Sequence, residues 1–546
     1  MDLIRAGLIV LTSFTHARAG GAQTIQTGPG LKKNLASNDG VPGYRTYDQT
    51  LEELRKIESD HPAICKLYDI GDSRGKEYFL QGREAYRSFN HDIWGLKVSG
   101  NVEKTEDEPA IIFCGEHHAR EPISLEVTMG VLNYIIANYG KDSSVTKNVD
   151  SKEIWFVPLV NPDGHQVVVS GFNTGWRKNI RDNDSSGQFD ENDGVDLNRN
   201  YGYAWGGPST STDQANELYP GPSAWSEPEV RAVKSLIDLC CFVAGISYHS
   251  YQQDVLYPYA YAADARTPDQ AALADLATKM AATIPAIGQA GSYMPLKWSA
   301  MYEAGGILDD YAYASYGTFL FTIELGIEFI PPADSIPRIS NDNIHAAMLL
   351  LNRLNIAALA GHAYAVTATG RTPLTGQVDI DQIDDTVATN TNYRAPIKTN
   401  STFGAYRRLL MPGTYTVTFR PDSTQYSPMT VSGVTIKSDD ITLLDFACAR
   451  TAGRFSAHRP IPASEFRAIK TGPHTVCIFM AASPSERNLD IFTLAGKKVD
   501  HRRIPASFNA TDAKWDTRLT PAGIYIVKLS DLRSATATSI TVTLSK

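Results

Sequence analysis

An α/β fold is predicted: a mixed, largely parallel sheet with helices on both faces, followed by two small all-β sandwich domains. Two observations lead there. From about Tyr44 to His362 short apolar runs alternate with stretches of helical spacing, and beyond His362 the chain becomes rich in Thr, Val and Tyr with little helical periodicity. Size agrees, since 546 residues exceed one ordinary core and fit about three domains.

In chain order, residues 51–57 have helical spacing, and the apolar runs 93–98, 110–114, 154–159, 242–246 and 318–325 read as strands. Runs this short and continuously apolar suit parallel strands buried between helix layers. Helices fall at about 123–138 and 227–239; Ser226 is expected to cap the second, with Pro228 and Glu229 in its first turn. Behind them, 366–448 reads as an antiparallel sandwich, with a strand at 415–419 after the turn Met411-Pro412-Gly413. A second β module spans 456–546, with strand-like runs at 475–480, 489–492, 523–529 and 539–544. The expected segments are 1–19, 20–43, 44–362, 363–450 and 456–546.

Residues 1–19 read as an export signal: Arg5 precedes the apolar stretch 6–14, and Ala17-Arg18-Ala19 is a small-x-small cleavage site. The mature chain is therefore expected to be secreted or at the cell surface, with the periplasm as a transit compartment. A formal net charge of −9 argues against a nucleic-acid partner, which would need a basic face. The six cysteines are spread along the chain, and Cys114, Cys240 and Cys241 fall in apolar runs, where a free buried thiol is the expected reading.

Polar groups that carry chemistry stand at the ends of these runs. His118-x-x-Glu121 follows the run 110–114 and His249 follows 241–246, a two-histidine, one-carboxylate set that leaves a zinc coordination position open. Glu324 closes the run 319–323. Asn161-Pro162-Asp163-Gly164 reads as a turn after a strand, Trp176-Arg177-Lys178-Asn179 supplies an arginine, and residues 194–201 gather Asp196, Asn198, Arg199 and Asn200. Open parallel sheets bind ligands beyond the carboxyl ends of their strands, which is where these residues are expected.

Taken in order, His118-Ala119-Arg120-Glu121, Asn161-Pro162-Asp163-Gly164, Trp176-Arg177-Lys178, Asp196-Leu197-Asn198-Arg199-Asn200, Ser226-Glu227-Pro228-Glu229, Ser247-Tyr248-His249-Ser250-Tyr251 and Phe321-Thr322-Ile323-Glu324-Leu325 resemble the zinc carboxypeptidases of the pancreatic A/B and bacterial T type. The resemblance covers roughly 44–362. It implies one zinc ion held by His118, Glu121 and His249, Glu324 as general base and Arg177 as the cation that meets developing oxyanion charge. It places the clamp for a substrate's terminal carboxylate on Asn198 and Arg199, a mobile tyrosine on Tyr302, and a carboxylate orienting the first imidazole on Asp196. Arg120 would help hold the substrate carbonyl. Asp309 falls on the floor of the pocket for the terminal side chain, S1′, where a buried acid selects Lys or Arg. Partners implied are peptides or proteins with a free C-terminus. The chain departs from the family at Pro122 and Tyr311, where tryptophans are usual.

Two other readings stay open: a related zinc amidohydrolase acting on N-acyl amino acids or peptidoglycan stem peptides, and a non-catalytic binding protein on the same fold, which would be expected to lack Glu324 or a ligand. Residues 182–193 have Asp182, Asp184, Ser186, Asp190 and Asp193 at calcium-loop spacing with Gly187 at the turn, so Ca²⁺ is a second candidate ion. Tyr406 to Val417 resembles a transthyretin-like, carboxypeptidase-regulatory sandwich. The final module resembles the sorting or anchoring β domain of bacterial secreted enzymes, implying contact with secretion machinery or cell envelope.

Overall fold

A computed structural model describes residues 40–367, 370–384, 397–450, 467–472, 475–480, 487–493, 498–504, 511–516, 523–531 and 537–544. The export signal expected at 1–19 and most of the segment 20–43 lie outside the described residues. Among the described residues no helix is long and apolar enough to cross a membrane.

An eight-stranded sheet organises the first part of the chain. Its strands are β1 (Cys65–Asp72), β2 (Asp92–Val98), β3 (Ala110–Gly115), β4 (Glu153–Val157), β5 (Ala244–His249), β6 (Asp254–Tyr257), β7 (Met294–Lys297) and β8 (Phe319–Glu324), in the spatial order β1-β2-β4-β3-β5-β8-β6-β7. The four central strands β4, β3, β5 and β8 run parallel, whereas β1–β2, β2–β4 and β6–β8 pair antiparallel. The sheet is thus mixed and parallel at its centre, as the unbroken apolar runs predict.

Period two along β3 sends its side chains to opposite faces. Ile111 and Phe113 pack with Leu125 and Val131 of the helix Ile123–Asn138 and with Leu350 of Ile336–Arg353. Ile112 and Cys114 pack with Val230 and Leu236 of Pro228–Cys240 and with Leu308 of Leu308–Tyr316. Every residue of β3, β5 and β8 is buried; each Ile, Val, Leu or Phe so placed contributes about 1.5–3 kcal/mol of transfer free energy. Ser226 does not cap Pro228–Cys240. Glu227 occupies the cap without a side-chain hydrogen bond, and Ser226 Oγ donates instead to the Glu227 carboxylate, because Glu227 is drawn to Arg74 and Arg181.

After Arg353 the chain enters two further sheets. β9 (Ala358–Thr367) is flanked by β10 (Gly370–Pro373), β12 (Ala405–Leu409), β15 (Ile441–Leu443) and β16 (Phe446–Cys448); the second sheet orders β11 (Gly376–Ile380), β13 (Gly413–Pro421) and β14 (Met429–Ile436). β9 begins at Ala358, four residues ahead of the boundary expected at His362. The pairing is not wholly antiparallel, since β15 and β16 run parallel to β9. Gly361 allows this return, because a Cβ there would lie 1.9 Å from the Leu444 carbonyl oxygen.

Residues 454–546 belong to a separate compact unit. Its described strands form a three-stranded sheet, β17 (Arg467–Gly472), β18 (Thr475–Met480) and β21 (Thr511–Asp516), and a four-stranded one, β20 (Lys498–Ile504), β19 (Arg487–Thr493), β22 (Gly523–Asp531) and β23 (Ala537–Leu544). Val476, Ile478, Leu489, Ile491, Trp515 and Val527 are buried in its core.

Candidate active site

β5 ends on His249 and β8 on Glu324, and strand register sets the two residues side by side. β3 ends one residue before Glu116, whose left-handed backbone (φ 56°) turns the chain across the sheet edge toward His118. The pair His118 and Glu121 lies in a buried turn closed by Glu121 N–H donating to His118 O at 3.0 Å, not in a helix; the helix starts at Ile123. All these groups collect beyond the carboxyl ends of the central strands.

The three ligand candidates converge. His118 Nδ1 stands 2.9 Å from Glu121 Oε1, His249 Nδ1 3.0 Å from Glu121 Oε2, and the two Nδ1 atoms are 3.1 Å apart. Asp196 Oδ1 lies 3.2 Å from His118 Nε2, so the ring proton belongs on Nε2 and the Nδ1 lone pair faces inward. Two imidazole nitrogens and a carboxylate with nothing but lone pairs between them fit a cation, and the spacings are close to the edge of about 3.3 Å in a zinc tetrahedron. Burial opposes ionisation of Glu121, yet His118 and His249 outweigh it and hold its pKa far below the usual range.

Arg177 is buried beside this set. Its Nε donates to Asp196 Oδ2 at 2.8 Å and its Nη1 lies 3.7 Å from Glu121 Oε1. Desolvation disfavours its charge, but Asp196 and Glu121 raise its pKa above the ordinary arginine value. Asp196 is held well below the carboxylate range against its own burial by Arg177 and His118. One carboxylate therefore orients both the His118 imidazole and the Arg177 cation.

Asp196 also starts the turn Leu197–Arg199, accepting from Asn198 N–H at 3.0 Å. Asn198 Oδ1 is engaged by Leu308 N–H at 3.0 Å, which leaves its NH₂ to donate. Arg199 is buried, bonding the Ser209 and Asn198 carbonyls at 3.0 and 2.7 Å. Tyr302 follows the short helix Trp298–Met301 and is 39% exposed. Glu324 is buried, and desolvation together with Glu121 pushes its pKa well up while Arg177 opposes the rise. Asp309 is 1% exposed in the first turn of Leu308–Tyr316. Arg120 donates to Glu217 at 2.7 Å and lies over the Phe329 ring, 4.3 Å from its centroid.

The loop expected to hold calcium is gathered only in part. Carboxylates of Asp182, Asp184 and Asp193 come together, but Ser186 Oγ donates to Gln188 O, and Asp190 accepts from Asn192 N–H. Asp182 receives Ser186 N–H, Gly187 N–H and Arg83, and Asp193 receives two backbone N–H groups. The loop closes through its own backbone N–H groups and Arg83.

Several further residues support the site. Asn161, expected in a plain turn, caps the helix Pro162–Val169, and its NH₂ donates to both His117 O and Lys178 O, tying the His118 loop to the Arg177 segment. His117 stacks on His249 and pairs with Tyr201 OH at 2.9 Å. Ser247 Oγ stands 3.1 Å from His249 Nε2. An Asn directly before Pro at a helix start was a usable signal for Asn161; for His117 and Ser247 there was none.

Comparison with known proteins bears on this geometry. The model of the zinc carboxypeptidase family, peptidase M14, matches residues 50–346. Metallocarboxypeptidase A of Arthroderma otae is 32% identical over 303 residues, covering 54% of this chain and 67% of that protein. A zinc carboxypeptidase of Saccharothrix mutabilis subsp. capreolus is 28% identical over 304 residues, and the match spans 52% of this chain and 62% of the relative's length. Among solved structures, thrombin activatable fibrinolysis inhibitor is similar with a TM-score of 0.50 at 25% identity, over 57% of this chain and 74% of that one. With the ligand set, the buried arginine and the matched segment in agreement, the chain belongs to the zinc carboxypeptidase family, peptidase M14.

Proposed function

We propose that this chain is a secreted zinc-dependent metallocarboxypeptidase that releases the C-terminal residue of peptides, with preference for Lys and Arg. The observation that carries the reading is the convergence of His118 Nδ1, His249 Nδ1 and Glu121 within about 3 Å of one another, beside Glu324 and Arg177.

Bound by those three residues, zinc supplies Lewis acidity toward a scissile carbonyl and toward water. Glu324, buried and with a raised proton affinity, takes a proton from the attacking water and returns one to the leaving amine. Arg177, fixed by Asp196, meets the negative charge that develops on the carbonyl oxygen. Asn198 and Arg199 receive the free carboxylate, and Tyr302 closes over the bound residue. The buried Asp309 acid, with one oxygen free of any partner, is costly to ionise alone and so favours a cationic terminal side chain that pairs with its charge. Fungal relatives named metallocarboxypeptidase A support exopeptidase chemistry, and the leader-like N-terminus supports action outside the cytoplasm.

The test is a peptide series differing only at the last residue, assayed with and without a zinc chelator. Release of Lys and Arg should exceed release of Leu and Phe by about tenfold or more and stop on chelation. Equal turnover of C-terminally amidated peptides would overturn the exopeptidase assignment, and equal rates for Arg and Leu would overturn the role of Asp309.

A further inference from the structure

Arg408, on β12 of the sandwich, is buried at 1% exposure and reaches into the catalytic part of the chain. Its Nη2 donates to Asp384 Oδ1 at 2.9 Å and its Nη1 to Asp384 Oδ2, while Nε donates at 3.0 Å to Asp269 Oδ1, just before the helix Gln270–Ala282. The other Asp269 oxygen accepts from Tyr313 OH at 2.8 Å, and Asp269 N–H donates back to the same hydroxyl at 3.3 Å. All four residues are buried.

Tyr313 sits on Leu308–Tyr316 four residues after Asp309, so the two side chains share a face. Its ring also meets Tyr259 edge-on at 5.4 Å, and Tyr259 stacks on Tyr203 at 5.6 Å, beside the segment that carries Asn198 and Arg199. Gly317, which ends this helix with φ 69°, abuts the sandwich directly, since a Cβ there would lie 2.2 Å from Ile397 Cδ1. The helix that carries the pocket acid is therefore held at its last turns by the sandwich. Buried ion pairs are weak sources of stability compared with apolar packing of the same volume, but a guanidinium fork between two carboxylates dictates orientation.

We propose that Arg408 is a positioning residue for terminal-residue selection: through Asp269 and Tyr313 it sets the helix Leu308–Tyr316, and so the placement of Asp309, making the β-sandwich a working part of the S1′ pocket. This rests on the proposed carboxypeptidase reading.

The experiment uses the full-length zinc-loaded chain and the variants Arg408→Lys and Tyr313→Phe. Three readouts are taken: KM and kcat for peptides ending in Arg and in Leu, melting temperature, and hydrogen exchange of amides 308–316. The expected result is a rise of about tenfold in KM for the Arg peptide, little change in kcat or in KM for the Leu peptide, and faster exchange confined to 308–316 and its contacts. Tyr313→Phe keeps the ring and removes one hydroxyl, so it carries the test if Arg408→Lys fails to fold. A lower melting temperature with wild-type Arg-to-Leu discrimination and wild-type exchange in 308–316 overturns the inference and leaves Arg408 a purely structural clamp. A wild-type chain that does not discriminate Arg from Leu defeats the Asp309 reading and the selection step together; the exchange data then decide separately whether the tether exists.

Discussion

Asp309 accepts a hydrogen bond from Thr322 Oγ1 at 2.9 Å and leaves its second oxygen without a partner, although both residues are fully buried. An acid left half satisfied in a core is costly to ionise. That cost is the condition under which an incoming cation gains most.

Burial raises the Asp309 pKa well above its ordinary value. Between the unfolded value of about 3.9 and the raised folded one, the folded chain keeps a proton that the unfolded chain has lost. Stability from this group is thus complete at low pH and declines as pH rises toward the folded pKa. Asp309→Asn should escape the decline, so its melting temperature should gain on wild type as pH increases from acid to neutral. Calorimetry across that range checks it, and a difference that stays constant with pH would contradict the linkage.

The same substitution should abolish the proposed preference for Lys and Arg. Loss of a desolvated charge partner costs about 2–5 kcal/mol, so kcat/KM for an Arg-terminated peptide should fall by about 30-fold or more while a Leu-terminated peptide is unaffected or improved. Retained preference in Asp309→Asn would move the specificity determinant elsewhere in the pocket.

Asp196 serves both His118 and Arg177, through separate oxygens. Asp196→Asn should weaken zinc binding about 10–100-fold, as loss of a carboxylate behind a ligating imidazole does. Competition with a chelator of known affinity measures this directly. Wild-type affinity would show that the His118 ring is oriented by other contacts.

Arg177→Ala should lower kcat about 10²–10³-fold with KM changed much less, because in the proposed function the cation answers charge that exists only in the transition state. A rise in KM with unchanged kcat would instead make Arg177 a ground-state binding group.

Gly306 has φ 74°, and a Cβ there would lie 2.2 Å from the Arg199 carbonyl oxygen. Gly306→Ala should therefore displace the Arg199 segment, costing about 1–3 kcal/mol of stability and raising KM for all free-carboxylate peptides alike. A uniform change distinguishes it from Asp309→Asn, which acts on one class of side chain.

Much of this was legible in the linear chain. The central strands were readable because strands covered on both faces must be continuously apolar, and His118, Glu121, His249 and Glu324 stood out as ionisable residues at the ends of such runs. The cap of Pro228–Cys240 was misassigned because Glu227 answers to Arg74 and Arg181, partners distant in sequence. The parallel pairing of β15 and β16 depends on a close backbone approach at Gly361, which no local pattern encodes.

By itself, then, the sequence determined the buried central strands, the helices near 123–138 and 227–239 and the types and order of the candidate ligands, since these follow from local periodicity and side-chain chemistry; the outer strands β1, β6 and β7 and the helices Gln270–Ala282, Leu308–Tyr316 and Ile336–Arg353 emerged only in the structure. Tertiary structure alone decided that two Nδ1 atoms and a carboxylate meet, that Asp196 is shared between His118 and Arg177, and that Arg408 reaches Asp269. Those are distances between residues far apart along the chain, and only packing sets them.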